Sequence, residues 1–259
     1  MKILICVGHA NYGGGVISSA DGTQHGGVNE YLYNKELAPH VVAWLNAAGH
    51  EAVLCIAPEG ELHNLNDEIN YFIGVENSGG FDLAIQLHLN AFNSRAYGCE
   101  AYAYNDKGLE IANAICAKLG AVWHNRGGQI KKNLYWTRKT KATAVLVESF
   151  FCDNAEDYRK ARDIGMSAHA KLIAEGIIGE NISGGVETPE APAGDGSYLV
   201  KVSITNLNIR KGPGTNYGVS GTCPVGTYTI VETKTAGGYT WGRLKSGAGW
   251  IALDYVNRV

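Results

Sequence analysis

Four residues that lie far apart in the chain could together carry hydrolytic chemistry: His9, Glu30, His88 and Glu148. His9 follows an apolar run at residues 2–7, within the turn GHA. Glu30 opens a helical pattern, and His88 sits near the carboxyl end of the alternating stretch DLAIQLHLNA, residues 82–91. In open α/β sheets that edge is where sites are built. Two imidazoles and one carboxylate, with a fourth position left to water, make a catalytic zinc set. Zinc suits both donor types, and water bound to it loses a proton near neutral pH. Glu148 closes another apolar run, where a buried charge without a task is costly. A carboxylate beside zinc-bound water can act as general base and then return the proton to a leaving amine. The three ligands are 21 and 58 residues apart, which fits no short metal motif such as HExxH. Spacing alone therefore leaves open the reading of hydrogen-bonded polar residues at strand ends. The other histidines, His25, His40, His50, His63, His124 and His169, fall in expected loops or on helix surfaces and read as solvated.

The elements that must position these residues alternate along the chain. Residues 2–7 form a first strand, and the Gly- and Ser-rich stretch 11–27 reads as a loop. Asn29 is placed to cap a helix that begins at Glu30 and runs to about Ala48, burying Leu32, Leu37, Val41, Trp44 and Leu45. Pro39 within it predicts a kink or break near Ala38, and Gly49 ends it. A strand follows at 51–57, a helix at 66–77, and then the strand bearing His88, introduced by Gly79 and Gly80. Residues 90–98 read as a loop and 99–104 as a strand. Asp106 is placed to cap a helix carrying Leu109, Ile111, Ala112, Ile115, Cys116 and Leu119. A polar loop at 124–132 leads to a short strand at 134–136. The run 143–147 is a buried strand ended by Glu148, and Asn154 opens a helical region that breaks near Gly165 and ends near Ile178. The expected fold is α/β, a sheet of about six strands flanked by helices.

Composition then shifts. The boundaries expected are a catalytic domain at 1–180, a Gly/Pro/Ser/Glu linker at 181–197, and a small all-β barrel at 198–259 whose short strands are broken by turns such as Gly212-Pro213-Gly214. Residues 197–259 hold seven Lys and Arg against two acidic residues, a net of +5, while the rest carries −8 of the overall −3. A basic tail on an acidic body suits an anionic polymer. No nucleic-acid-binding motif accompanies that charge, so nucleic acid is not the expected partner. No run of about 18 apolar residues occurs, so no membrane insertion is expected. The six cysteines form no CxxC and sit in apolar segments, as buried small hydrophobes do. The first ten residues are too short an apolar run for a signal-peptide core, which needs roughly 7–15 apolar residues. Synthesis in the cytoplasm without a signal peptide is the expectation.

The segments VGHA with His9, NEYLYN with Glu30, LHLNA with His88 and AVLVESFFCDNAED with Glu148 resemble the zinc-dependent N-acetylmuramoyl-L-alanine amidases, in order and approximate spacing, across residues 1 to about 180. The resemblance implies zinc held by His9, Glu30 and His88, with Glu148 catalytic. Asn90 would shape the site or meet substrate. Arg126, with Gly127, also stands in a family-like position; its role stays open, with a structural one favoured. The tail, through Leu207-Asn208-Ile209-Arg210, Gly212-Pro213-Gly214, Tyr217 and Gly249-Trp250, resembles bacterial SH3-like barrels that bind cell walls. Tyr217, Tyr239, Trp241 and Tyr255 are its candidate wall-binding aromatics, and Trp250 is as well suited to the core.

The resemblance implies a peptidoglycan hydrolase that cuts the amide between N-acetylmuramic acid and L-alanine, with the tail concentrating it on peptidoglycan and anionic wall polymers. Acting on the wall without a leader suggests a bacteriophage endolysin lysing a Gram-positive host. A bacterial autolysin, a zinc carboxypeptidase on wall peptides and a non-catalytic wall-binding protein are the alternatives. The presence of all four residues, His9, Glu30, His88 and Glu148, argues against the last.

Overall fold

The computed structural model describes residues 1–184 and 198–258. The chain divides into two compact units, Met1–Pro189 and Glu190–Val259. Most of the expected linker at 181–197 lies outside the described residues. Ile182 is buried and its N–H donates to Glu175 Oε1 at 3.0 Å, so the packed chain of the first unit runs past residue 180.

In the first unit, strand β1 (Lys2–Val7) is followed by a small hairpin, β2 (Asn11–Gly13) and β3 (Val16–Ile17), inside the stretch expected to be loop. Helix α1 (Glu30–Ala47) starts where Asn29 caps it, its side chain accepting from Leu32 N. Then come β4 (Glu51–Cys55), α2 (Leu65–Gly79), β5 (Leu83–Asn90), β6 (Cys99–Ala103), α3 (Asp106–Leu119), β7 (Asn125–Ile130), α4 (Tyr135–Lys139), β8 (Thr143–Phe151) and α5 (Ala155–Ile178). The sheet order is β4-β1-β5-β8-β6-β7. β4, β1, β5 and β8 run parallel, β6 runs antiparallel to β8, and β7 is parallel to β6. Alternation divides the side chains between two cores. Ile3, Ile5, Val7, Ile85, Leu87, Val145 and Val147 face α1, α3 and α5. Leu4, Cys6, Ala84 and Leu146 face Phe72 of α2 and Trp136 of α4.

Several expectations need correction. α1 is one continuous helix through Pro39, whose ring is buried, so packing offsets the missing hydrogen bond. Leu32 is 52% exposed, one position off the buried face. Asn105, not Asp106, caps α3, its side chain accepting from Gly108 N. Residues 125–130 are a strand, not a loop. As a sheet-edge strand of polar residues and glycine, β7 carries no apolar alternation to announce it. Residues 135–139 are a helical turn, not a strand; Trp136 packs into the second core, overriding the β propensity of the aromatic pair. β8 continues past Glu148 to Phe151. α5 does break at Gly165, which has φ 76° and ψ 162°.

His169 is fully buried, not solvated. The Tyr33 hydroxyl is hydrogen-bonded to His169 Nδ1 at 2.9 Å, and the ring lies 4.7 Å from Trp123, centroid to centroid. All six cysteines are free and buried.

The second unit is a small all-β sheet of seven strands, β9 (Tyr198–Val202), β10 (Leu207–Arg210), β11 (Val219–Cys223), β12 (Gly226–Ala236), β13 (Tyr239–Leu244), β14 (Trp250–Ala252) and β15 (Asn257–Arg258), in the order β11-β10-β14-β13-β12-β9-β15. Every pairing is antiparallel. Val200, Val202, Leu207, Ile230, Leu244 and Ile251 form its core.

Burial pushes the His169 imidazole down to about 3, whereas an unfolded histidine titrates near about 6.5. Between those values the unfolded chain binds the extra proton. The stability His169 contributes is complete above about pH 6.5 and is lost as pH falls, at about 1.4 kcal/mol per pH unit. Urea unfolding at pH 7, 6 and 5 should show wild type losing that much more per unit than His169→Gln below pH 6. Parallel pH profiles would contradict this account of the core.

Candidate active site

The site is built at the edge where β1, β5 and β8 end. After β1 the chain passes Gly8, whose N–H donates to Leu87 O at 2.9 Å. A Cβ on Gly8 would stand 2.3 Å from the His88 ring, so only glycine lets the two strands close on that imidazole. His9 then takes φ 69°, a left-handed conformation that a side chain adopts only where its surroundings hold it.

Glu30 is the first residue of α1, at the helix end that favours an anion. Its side chain is 4% exposed. Oε1 accepts from His88 Nδ1 at 2.9 Å and from Leu89 N at 3.0 Å, and lies 3.1 Å from His9 Nε2. Oε2 accepts from Ala20 N at 3.2 Å. Burial pushes the Glu30 carboxyl up, but the two imidazoles outweigh it and hold it well below the usual range. Burial lowers both histidines. Glu30 reverses this for His9, which ends raised, and not for His88, which ends lowered.

His9, Glu30 and His88 each offer a ligand atom, and these atoms all lie within 4.8 Å of one another. Two imidazole nitrogens and a carboxylate oxygen are the donor types of a zinc site, and an ion with ligand distances of about 2.0–2.2 Å would draw these atoms closer together. The outer partners fit as well. His9 Nδ1 is 3.4 Å from Ser18 Oγ and 3.8 Å from Glu68 Oε1. Glu68 Oε2 accepts from Ser18 Oγ at 2.6 Å and from Tyr12 OH at 3.0 Å. Ser18 thus stands between the second ring nitrogen and a carboxylate, and hydrogen-bonded support at that nitrogen is usual for metal-binding histidines.

Glu148 on β8 is the register partner of His88 on β5 and of Glu100 on β6. Its Oε2 is buried and has no hydrogen-bond partner among the described residues. Burial pushes its carboxyl well above the usual range, with Glu30 and Glu100 adding to the effect and Lys131 opposing it. Asn90, two residues beyond His88, has both ends of its amide engaged: Nδ2 donates to Glu100 Oε1, and Oδ1 accepts from Ala91 N at 3.0 Å. Its side chain is thus spent on Glu100 and the backbone. Beside His9 and His88 lies a cavity of about 260 Å³ with an apolar wall of Leu65, Ile69, Phe72 and Trp136. Asn90 is not among the residues lining it.

Glu68, Ser18 and Glu100 did not stand out in the sequence. Glu100 left one signal, an acidic residue at an inward position of an alternating strand. Glu68 left none, because its partner comes from a loop fifty residues away.

In the second unit, Tyr239, Trp241 and Tyr255 line one cavity of about 370 Å³ with Leu207, Asn208 and Arg210. The Tyr239 and Tyr255 rings lie 6.0 Å apart. Trp241 is 2% exposed and donates Nε1 to Ala236 O at 3.0 Å, so it forms the cavity's wall rather than an open stacking face. Tyr217 is exposed and is not among the residues lining that cavity. Trp250 is buried.

Residues 3–179 match the N-acetylmuramoyl-L-alanine amidase family, and the chain belongs to it. It is 49% identical to the catalytic domain of the CD27L endolysin targeting Clostridia difficile, with a TM-score of 0.67, over 71% of this chain and 99% of that one. The CwlD amidase of Clostridioides difficile shares the fold at 19% identity, with a TM-score of 0.60, over 69% of this chain and 98% of that one. An uncharacterized protein of Clostridium perfringens is 30% identical over 84% of this chain, and Probable autolysin PH of Staphylococcus aureus is 24% identical over 99% of it. The chain spans 64% and 60% of the length of these two curated relatives.

The close approach of Gly8 to His88 yields a direct test. Gly8→Ala should displace the imidazole and lower zinc affinity by at least about tenfold, the scale seen when metal-site support is lost. Competition with a chromophoric chelator measures it. Unchanged affinity would show that His88 is not held as described.

Proposed function

We propose that this amidase-family chain hydrolyses the amide between the lactyl group of N-acetylmuramic acid and L-alanine in peptidoglycan, with zinc held by His9, Glu30 and His88. One observation carries the proposal: three ligand atoms converge within 4.8 Å, and Glu148 is the register neighbour of one of them. Bound zinc would polarise the scissile carbonyl and acidify water. The chain's own groups do the rest. Glu30, held far below the usual carboxylate range, stays an anionic ligand. Ser18 and Glu68 fix the His9 ring. Glu148 Oε2, facing no protein donor, takes a proton from the attacking water and delivers it to the leaving nitrogen of L-alanine. Burial raises its pKa; a cation held beside it would favour the ionised form that accepts the proton.

The second unit serves as an SH3-like wall anchor, with Tyr239 and Tyr255 flanking its cavity and a net positive charge suited to anionic wall polymers. Anchoring raises the local concentration of the hydrolase without any change at its active site. The likeness to an endolysin catalytic domain supports lysis of a Gram-positive wall from a phage source, with a bacterial autolysin as the other origin. Among the described residues no helix is long and apolar enough to cross a membrane.

Digestion of purified peptidoglycan should release peptides beginning with free L-alanine and leave glycan strands intact, as read by mass spectrometry. Glu148→Ala should keep about one zinc per chain and lose about 10²- to 10⁴-fold in rate, the usual contribution of a general base. Carboxyl-terminal amino acids as the products would instead indicate a carboxypeptidase. Replacing Tyr239 and Tyr255 together by Ser should lower co-sedimentation with cell walls by at least about tenfold, given what stacked aromatics contribute, while hydrolysis of soluble muramyl peptides is unchanged. Undiminished sedimentation would remove the cavity from the anchoring role.

A further inference from the structure

Glu148, Glu100 and Arg126 lie on one face of three successive strands, β8, β6 and β7. Glu100 is buried, yet its charge is already met by amides: Asn90 Nδ2 donates to Oε1, and Gln129 Nε2 donates to Oε2 at 3.0 Å. Arg126 Nε lies 3.4 Å from Oε2, and no Arg126–Glu100 hydrogen bond is formed among the described residues. Its guanidinium sits 5.1 Å above the Phe151 ring, and NH1 reaches Tyr97 O at 3.5 Å, the limit of a hydrogen bond. The group is thus braced from behind by a carboxylate and a ring. The side chain is nonetheless 39% exposed, and NH2 has no hydrogen bond among the described residues, while NH1 makes only the long one to Tyr97 O. A guanidinium fork matches a carboxylate in bidentate fashion.

The charges on the two sides of the metal set differ. Arg126 and Lys131, the latter with Nζ 3.4 Å from the Tyr102 ring centroid, lie on the β6–β7 side. The cavity on the α2–α4 side is lined by no Lys or Arg. Strands stand about 4.8 Å apart, so a guanidinium beside Glu100 lies roughly 10 Å from His88 across two gaps. An extended peptide covers about 3.5 Å per residue. A chain cut at its first residue would therefore bring its second or third residue to Arg126.

We propose that Arg126 is a specificity-determining residue that binds a free carboxylate on the second or third residue of the stem peptide, setting the peptide across β8, β6 and β7 and the glycan towards the apolar cavity. This rests on the amidase reading above. The stem peptide is then recognised by its charge, and amidation of that carboxyl makes the wall a poorer substrate.

The test uses the zinc-loaded full chain and soluble muramyl tripeptides. The carboxyl at the second and the third residue is presented in turn as free acid or carboxamide. Wild type should prefer the free acid at one of these positions by at least about tenfold in kcat/KM, mainly through KM, as expected for one charge-assisted pair. Arg126→Gln should bring the ratio to about one, Arg126→Lys should restore part of it, and N-acetylmuramoyl-L-alanine, which lacks both residues, should be cut equally by all three. A purely structural role would slow every substrate alike. Wild type without a preference, or Arg126→Gln that keeps it, overturns the proposal. If wild type cuts none of the substrates, the amidase reading fails by itself, and calorimetric binding of the same pairs to wild type and Arg126→Gln decides the role of Arg126 separately: a preference lost in the variant supports it, and equal binding of acid and carboxamide by wild type overturns it.

Discussion

The Glu30 carboxylate is removed from water and must be satisfied by the protein or by an ion. A buried anion without partners costs several kcal/mol. Here the Leu89 and Ala20 amides, two imidazoles and the start of α1 share that task. Each of these contacts constrains a different part of the chain. Ala20 ties down the loop before α1, Leu89 fixes the end of β5, and His9 demands the left-handed turn after β1. Gly8 leaves the space that lets His88 approach. A divalent cation bound by the same three side chains would turn a costly arrangement into a favourable one, so the geometry is that of a site preorganised for metal.

Sheet topology supplies the second constraint. β5 and β8 are parallel and in register, so His88 and Glu148 share a level and a face. A slip of one residue would turn one of them into the opposite core. β6 then reverses direction, which brings the beginning of that strand to the edge where β8 ends. Glu100 stands beside Glu148 for this reason, and Arg126 follows on β7. The all-parallel part of the sheet thus brings together the proposed metal ligands, and the reversed part builds the surface on which the peptide is proposed to lie.

Much of this was legible in the chain. β1, β5 and β8 are buried and apolar, so their patterns announced them, and with them His9 just after β1 and His88 and Glu148 near the ends of β5 and β8. The Asn29 cap marked the start of α1 and the position of Glu30. Elements whose identity depends on neighbours were not legible. β7 is a polar edge strand, α4 is a short turn held by Trp136, and α1 absorbs Pro39 because the ring packs into the core. The support of His9 by Ser18 and Glu68 joins a loop to a distant helix, and no local pattern encodes such a contact. His169 was misread for the same reason: its burial depends on Tyr33 and Trp123 from other elements.

X-ray absorption at the zinc edge of the full chain, reconstituted with one equivalent of metal, addresses the metal set most directly. The account predicts a low-coordinate site with two imidazole nitrogens at about 2.0–2.1 Å, oxygen ligands filling the remainder, and no sulfur. The imidazole scattering should fall by half in His88→Ala. A sulfur shell, or an imidazole signal untouched by that substitution, would contradict the assignment of His9, Glu30 and His88 as the metal site.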